Sequence, residues 1–355
     1  MISDAYSTDI KLIQVMDTDG KIDDSLLPKN INDDKILEMY RMMLYARNFD
    51  AKVLSLQRQG RAVTYAPLIG EEATQIGSAM AMRSNDIFVP SFRQHAVFIA
   101  RGMPLDLIFL YWRGYEEGNI IPQNVKGYPV IVPVSTQLPH ASGIAFAQKY
   151  LKTGSAVVTY VGDGGTSEGD FYETMNFAGV WDAPLVLIIE NNQWAISVPR
   201  SKQTMAQTLA QKAIAAGINA VQVDGNDVLA VYKATQDAIT KSQSGPTVIE
   251  CVTYRMSLHT TADDPTKYRS DSEVEAWKVK DPILRVRKYL ASKGIIDEKI
   301  DKEIIEAQTA EIDAAVEKAE QFKPDPSAMF TNVYSFMPQV LQNELDNAKT
   351  SNFWV

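Results

Sequence analysis

Gly162-Asp163-Gly164 is followed by 26 residues and then by Asn191-Asn192. A carboxylate and a carboxamide oxygen, each delivered at the end of an apolar run, suit a hard cation. Magnesium takes one or two protein oxygens in octahedral geometry and fills the rest with phosphate and water. Asp163 and Asn192 are therefore the expected metal ligands, with a diphosphate completing the shell. Glycine on both sides of Asp163 lets the backbone turn and approach a ligand without a Cβ in the way. Gly164 and Gly165 open the next helix, and free N–H groups at a helix N-terminus suit anionic oxygens. Arg93 follows another short apolar run, and its guanidinium can grip phosphate through two parallel bonds.

The surrounding elements must bring these residues together. Ser155–Val161 and Leu185–Ile189 are apolar, β-branched runs and read as buried strands. Glu168–Val180 reads as the helix crossing between them. Strands are also expected at Ile87–Pro90, Asn219–Val223 and Thr247–Val252. Helices are expected at Lys35–Gln59, Pro104–Trp112, Pro139–Leu151, Gln203–Ala216 and Asp227–Ser242. Strands alternating with helices imply a mostly parallel sheet covered on both faces, an α/β fold. Such sheets bind ligands at the carboxyl ends of their strands. Residues 1–33 read as an irregular arm, residues 34–272 as the α/β domain, and residues 273–355 as a helical extension. Within that extension, Val274–Lys293 and Asp301–Lys323 read as helices ahead of an irregular tail. Asn119–Pro133 reads as a loop over a surface or a site.

Bulk properties narrow the classes. The chain has 355 residues and a net charge of −9, which argues against nucleic acid or an anionic membrane as partner. One cysteine, Cys251, permits no disulfide framework and suits a reducing compartment. No stretch approaches the ~20 apolar residues that a membrane span needs. The first residues carry acids and no apolar core like that of a signal peptide. The expectation is a cytoplasmic protein.

The stretch GDGGTSEGDFYETMNFAGVWDAPLVLIIENNQWAIS (Gly162–Ser197) resembles the thiamine-diphosphate enzymes. Within them it is most similar to the alpha subunits of the decarboxylating first component of 2-oxo acid dehydrogenase complexes. GEEATQIG (Gly70–Gly77), SFRQH (Ser91–His95) and RMSLHTTADDPTKYR (Arg255–Arg269) resemble further segments of that family, in its order. The likeness runs from about residue 35 to 325 and implies the thiamine-diphosphate-binding fold. It also implies oxidative decarboxylation of a 2-oxo acid, with reductive acylation of a lipoyl group on a dihydrolipoyl acyltransferase component.

Residue roles follow from the same resemblance. The main-chain carbonyl of Trp194 becomes the third metal ligand. Phe92 stands where the family usually has a tyrosine whose hydroxyl touches phosphate, so that one hydrogen bond is lost while Arg93 remains. His259 contacts the diphosphate and helps orient the lipoyl group or pass protons, a task that suits imidazole because its pKa lies near neutrality. Thr260, Asp263, Asp264, Tyr268 and Arg269 order its loop. The Val132 carbonyl accepts from the aminopyrimidine, and the Val134 side chain bends the cofactor. His95 could also reach the site. The glutamate that activates the cofactor belongs to a separate beta chain, implying an α2β2 assembly and a chain inactive alone. Phe92 leans the substrate toward branched-chain acids, while Glu190 matches pyruvate-type members. An acetoin dehydrogenase alpha subunit is the nearest alternative. A non-catalytic nucleotide-binding or scaffold subunit is the alternative from another class.

Overall fold

The computed structural model describes residues 9–351. The start of the expected N-terminal arm and the last four residues of the C-terminal extension lie outside the described residues. The strands are β1 (Leu12–Ile13), β2 (Ile87–Val89), β3 (Val157–Gly162), β4 (Leu185–Asn191), β5 (Trp194–Ala195), β6 (Val198–Pro199), β7 (Asn219–Asp224) and β8 (Thr247–Val252). Six form one sheet in the order β1-β7-β8-β4-β3-β2, every pair parallel. β5 and β6 form a small antiparallel ribbon. Every residue of β4 is buried, as a central parallel strand with helices on both faces requires. The mostly parallel α/β fold expected from the sequence is the fold observed.

Register then places the motif. Gly162 of β3 pairs with Glu190 of β4, so Asp163 and Asn191-Asn192 leave the sheet side by side. Between them runs the helix Gly169–Val180, which buries Phe171, Met175 and Ala178.

Four expectations need correction. Gln203–Ala216 is not one helix: a single turn, Arg200–Gln203, and a 3-10 segment, Ala210–Ala216, flank a loop. Within that loop the Thr204 and Thr208 hydroxyls accept from the amides of Ala206 and Gln211, offering the backbone an alternative to the helix. Val274–Lys293 is split into Asp271–Lys278 and Pro282–Ser292. Pro282 has no N–H and disfavours helix in the residue before it, and Asp281 caps the new helix through Ile283 N and Leu284 N. The arm is not wholly irregular. Leu12–Ile13 adds an edge strand to β7, held by Asp227, whose carboxylate accepts from the amides of Val15 (2.6 Å) and Met16 (2.7 Å). The tail contains the helices Ala328–Thr331 and Gln339–Thr350.

Two helices went unread, Glu72–Ala81 and His95–Ala100. The first is buried on nearly all sides against Val228–Lys241, so it lacks the polar face that marks a helix in sequence. A Cβ on its Gly77 would stand 2.8 Å from the Val228 carbonyl, which explains the small residue there. The long helix Asp33–Arg58 is capped by Asn32, which accepts from Lys35 N. Ile312, Val316 and Ala319 of the helix Glu298–Glu320 belong to the same buried apolar cluster as its inner face. Among the described residues, no helix is long and apolar enough to cross a membrane.

Candidate active site

One cavity of about 410 Å³ at the carboxyl ends of β3 and β4 is lined by every residue expected to hold the cofactor or metal: Phe92, Arg93, Val132, Val134, Asp163, Gly164, Gly165, Asn192, Trp194 and His259. A larger hollow, about 690 Å³, opens beyond β7 and β8 at Gln222, Asp224 and Glu250. It contains none of them.

Asp163 is the most telling residue. It is 1% exposed, and its Oδ2 has no hydrogen-bond partner. Burial pushes its carboxyl up to about 7, against the opposing pull of Arg255. A buried carboxylate oxygen without a donor is costly unless something positive meets it. Its main-chain carbonyl is held by Gln203 Nε2 at 2.8 Å. Asn192 donates from Nδ2 to Glu71 Oε1 at 2.9 Å, which turns its Oδ1 the other way, where it accepts only a long 3.3 Å bond from Trp194 N. The carbonyl of Trp194 already accepts from Arg255 Nη1 at 2.8 Å, leaving it one lone pair for a metal. Among the described residues no group of three or more His, Cys, Asp or Glu could hold a metal by protein side chains alone. One carboxylate, one carboxamide oxygen and one main-chain carbonyl are hard donors of the kind a cation takes alongside phosphate oxygens and water.

The glycines are required sterically. A Cβ on Gly165 would lie 2.4 Å from Val161 Cγ2 and 2.6 Å from Ser135 Oγ, and one on Gly164 would lie 2.9 Å from Ala195 Cβ. Gly165→Ala should cost about 1–3 kcal/mol through overpacking and lower the midpoint of urea unfolding. An unchanged midpoint would show that the turn yields freely and is no fixed cradle.

Arg93 is buried. It donates from Nη1 to the Pro67 carbonyl at 2.5 Å, and from Nη2 to both Nδ1 and the carbonyl of His259 at 3.1 Å. Arg255 Nη1 also approaches His259 Nδ1, at 3.4 Å. Neither guanidinium can accept, so Nδ1 must carry the lone pair and Nε2 the proton. Burial and these two cations push His259 down to about 3. The expectation of an imidazole poised near neutrality gives way to a neutral hydrogen-bond donor.

The loop carrying His259 is braced as the sequence suggested, with one exception. Asp263 accepts from His259 N at 2.8 Å and from the Tyr268 hydroxyl at 2.5 Å. Tyr268 in turn accepts from Arg255 Nη2, and Arg269 donates to the Arg255 and Ser257 carbonyls. Thr260 lines the cavity. Asp264 instead caps a local turn through Thr266. His95 does not reach the cavity; it is buried against Tyr65 and Trp112 and bonded to the Ala66 carbonyl. Val132 and Val134 line the cavity while remaining 55% and 52% exposed.

Sequence reading missed Glu71, Arg255 and Gln203 as site residues. Glu71 and Arg255 lay inside quoted segments, and a charge beside an apolar strand was the available signal for Arg255. Nothing in the sequence marked Gln203. Glu71 and Glu190 both line the cavity and each keeps one oxygen without a partner. Burial raises both, and their proximity raises Glu190 further.

The family described as Dehydrogenase E1 component matches residues 40–327, most of the chain. The chain belongs to this family. A pyruvate dehydrogenase E1 component subunit alpha from Staphylococcus epidermidis is 42% identical over 340 residues, covering 95% of this chain and 92% of that protein. The corresponding subunit from Staphylococcus aureus shows the same identity and coverage. The resemblance to alpha subunits of 2-oxo acid dehydrogenases is thus carried by nearly the whole chain, and the E1 family depends on thiamine diphosphate.

Proposed function

We propose that this E1 chain binds the diphosphate half of thiamine diphosphate with Mg²⁺, and acts with a beta chain in oxidative decarboxylation of a 2-oxo acid. The observation carrying this reading is the buried, unpartnered Oδ2 of Asp163 facing the same cavity as Asn192, Arg93 and His259. Asp163, Asn192 and the Trp194 carbonyl would hold the metal. The Gly164 and Gly165 amides would donate to the diphosphate, and Arg93 and Arg255 would balance its charge. Val134 would press the cofactor into its bent form, and the Val132 carbonyl would accept from its amino group. His259 would donate from Nε2 at the diphosphate edge and steady the incoming lipoyl group of the acyltransferase component. When bound, the cofactor supplies the electron sink that lets carbon dioxide leave.

The half-exposed valines leave one side of the cavity for another chain to cover, which supports a beta partner in an α2β2 assembly. Phe92 leaned toward branched-chain acids, but both staphylococcal relatives carry the pyruvate name, so pyruvate is the first substrate to try. The chain co-purified with its beta partner should sediment as a four-chain particle and turn over pyruvate with an artificial electron acceptor. The chain by itself should show no turnover; an active homodimer would overturn the two-chain reading.

A further inference from the structure

Pro133–Thr136 is a tight turn, closed by Thr136 N donating to the Pro133 carbonyl at 3.3 Å. Its third residue, Ser135, has a φ of 66°. Glycine or asparagine usually fills such a place, because a Cβ crowds the left-handed backbone. Among the described residues, five besides glycine have positive φ: Ser135, Lys152, Asp182, Gln193 and Ile196. Lys152, Asp182 and Ile196 are exposed and Gln193 is half-buried, whereas Ser135 is 1% exposed and lines the cavity. Backbone strain persists where the surroundings hold a residue at several points. The Ser135 hydroxyl donates to the Gly165 carbonyl at 2.8 Å, across 30 positions of sequence. The Ser135 carbonyl accepts from Leu138 N at 2.9 Å, at the start of the helix Gln137–Tyr150. Val134 meets the same glycine: a Cβ on Gly165 would lie 2.6 Å from Ser135 Oγ and 3.4 Å from Val134 Cγ1.

We propose that Ser135 is a positioning residue that sets the spacing between the two ends of the cofactor site. The inference rests on the proposed function. Val132 and Val134 would hold the aminopyrimidine end, and the Gly164 and Gly165 amides the diphosphate end. The two segments belong to separate elements, the turn before the helix Gln137–Tyr150 and the turn after β3, and the Ser135–Gly165 hydrogen bond joins them. Glycine at position 135 would relieve the backbone and give up this bond. Alanine would give up the bond and keep the strain. Serine is thus the choice that accepts a left-handed backbone in return for a fixed distance. A ligand gripped at both ends needs that distance set in advance, since ordering the site on binding costs affinity. A ligand gripped at one end does not.

The test uses the reconstituted α/β complex stripped of cofactor, with Ser135→Gly and Ser135→Ala. Titration calorimetry in magnesium measures affinity for thiamine diphosphate and, separately, for inorganic diphosphate, which occupies one end only. Both variants should bind thiamine diphosphate about 5–10-fold more weakly, the worth of one net hydrogen bond, and to a similar degree. Inorganic diphosphate should bind within about twofold of the unmodified complex, because its own donors are untouched. Glycine accepts the left-handed backbone and alanine does not, so cofactor-free Ser135→Gly should melt above Ser135→Ala. Affinity that follows melting temperature, weak in Ser135→Ala and normal in Ser135→Gly, would make Ser135 a folding residue only and overturn the proposal. So would an equal loss on inorganic diphosphate, which would mean that the glycine turn itself gives way, or no loss on either ligand. An unmodified complex that binds no thiamine diphosphate would instead remove the proposed function, and this inference with it.

Discussion

Asp163→Ala in the holoenzyme should abolish magnesium-dependent binding of thiamine diphosphate. Losing a group that only orients a metal ligand costs about 10–100-fold in affinity, so losing the ligand should cost at least about 100-fold. The backbone should survive: the Asp163 carbonyl keeps its bonds from Gln203 and Thr166. Removing a buried carboxyl that is already raised to about 7 should also leave the empty chain no less stable. The same shift carries a sign. Metal binding needs the carboxylate form, so below about pH 7 a proton must leave and affinity should fall as pH drops. Titration calorimetry in buffers of different ionisation heat would detect that proton. Unchanged cofactor affinity in the alanine variant would remove Asp163 from the metal site.

His259→Ala should fold normally and lose about 10²–10³-fold in lipoyl acylation, the usual cost of removing one preorganised donor. Its neighbours decide its role. Arg93 and Arg255 both point donors at Nδ1, which leaves Nε2–H as the only face that can serve a ligand. Glutamine carries an N–H donor but no titrating ring, so His259→Gln should recover part of the loss. With His259 held down to about 3 by burial and its two arginines, the imidazole does not change charge between about pH 5 and 8, so any acidic limb of the pH–rate profile in that range should be the same in His259→Gln as in the wild type. Disappearance of that limb in His259→Gln would show that the imidazole titrates in turnover after all. Near-normal acylation in His259→Ala would make the residue structural.

The local order of the chain was readable because its signals are local. Val157–Gly162 and Leu185–Asn191 are rich in Val, Ile and Leu and buried along almost their whole length, as a doubly covered parallel strand requires. Asp163 and Asn192 stand one residue beyond such runs, so their place at the strand ends followed directly. Boundaries set by side-chain competition were harder. Thr204 and Thr208 undo a helix that the pattern of Gln203–Ala216 allows, and Asp281-Pro282 breaks one through a cap whose partner amides lie within its own turn. Glu72–Ala81 escaped notice because burial on all sides removes the periodicity by which amphipathic helices are recognised.

The sequence by itself determined the parallel α/β fold, the motif Asp163–Asn192, and membership of a family whose segments lie in order along the chain. Each is a property of residue types and spacing along one strand or one turn. Tertiary structure alone decided that Arg93, from a different strand end, meets His259 across 166 positions of sequence. It also decided that Arg255 donates to the Trp194 carbonyl and that Glu71 turns Asn192. Those facts depend on which loops the sheet order brings face to face. Charge and burial at such meetings set a histidine's tautomer and a carboxylate's affinity for a proton, and no single segment carries that information.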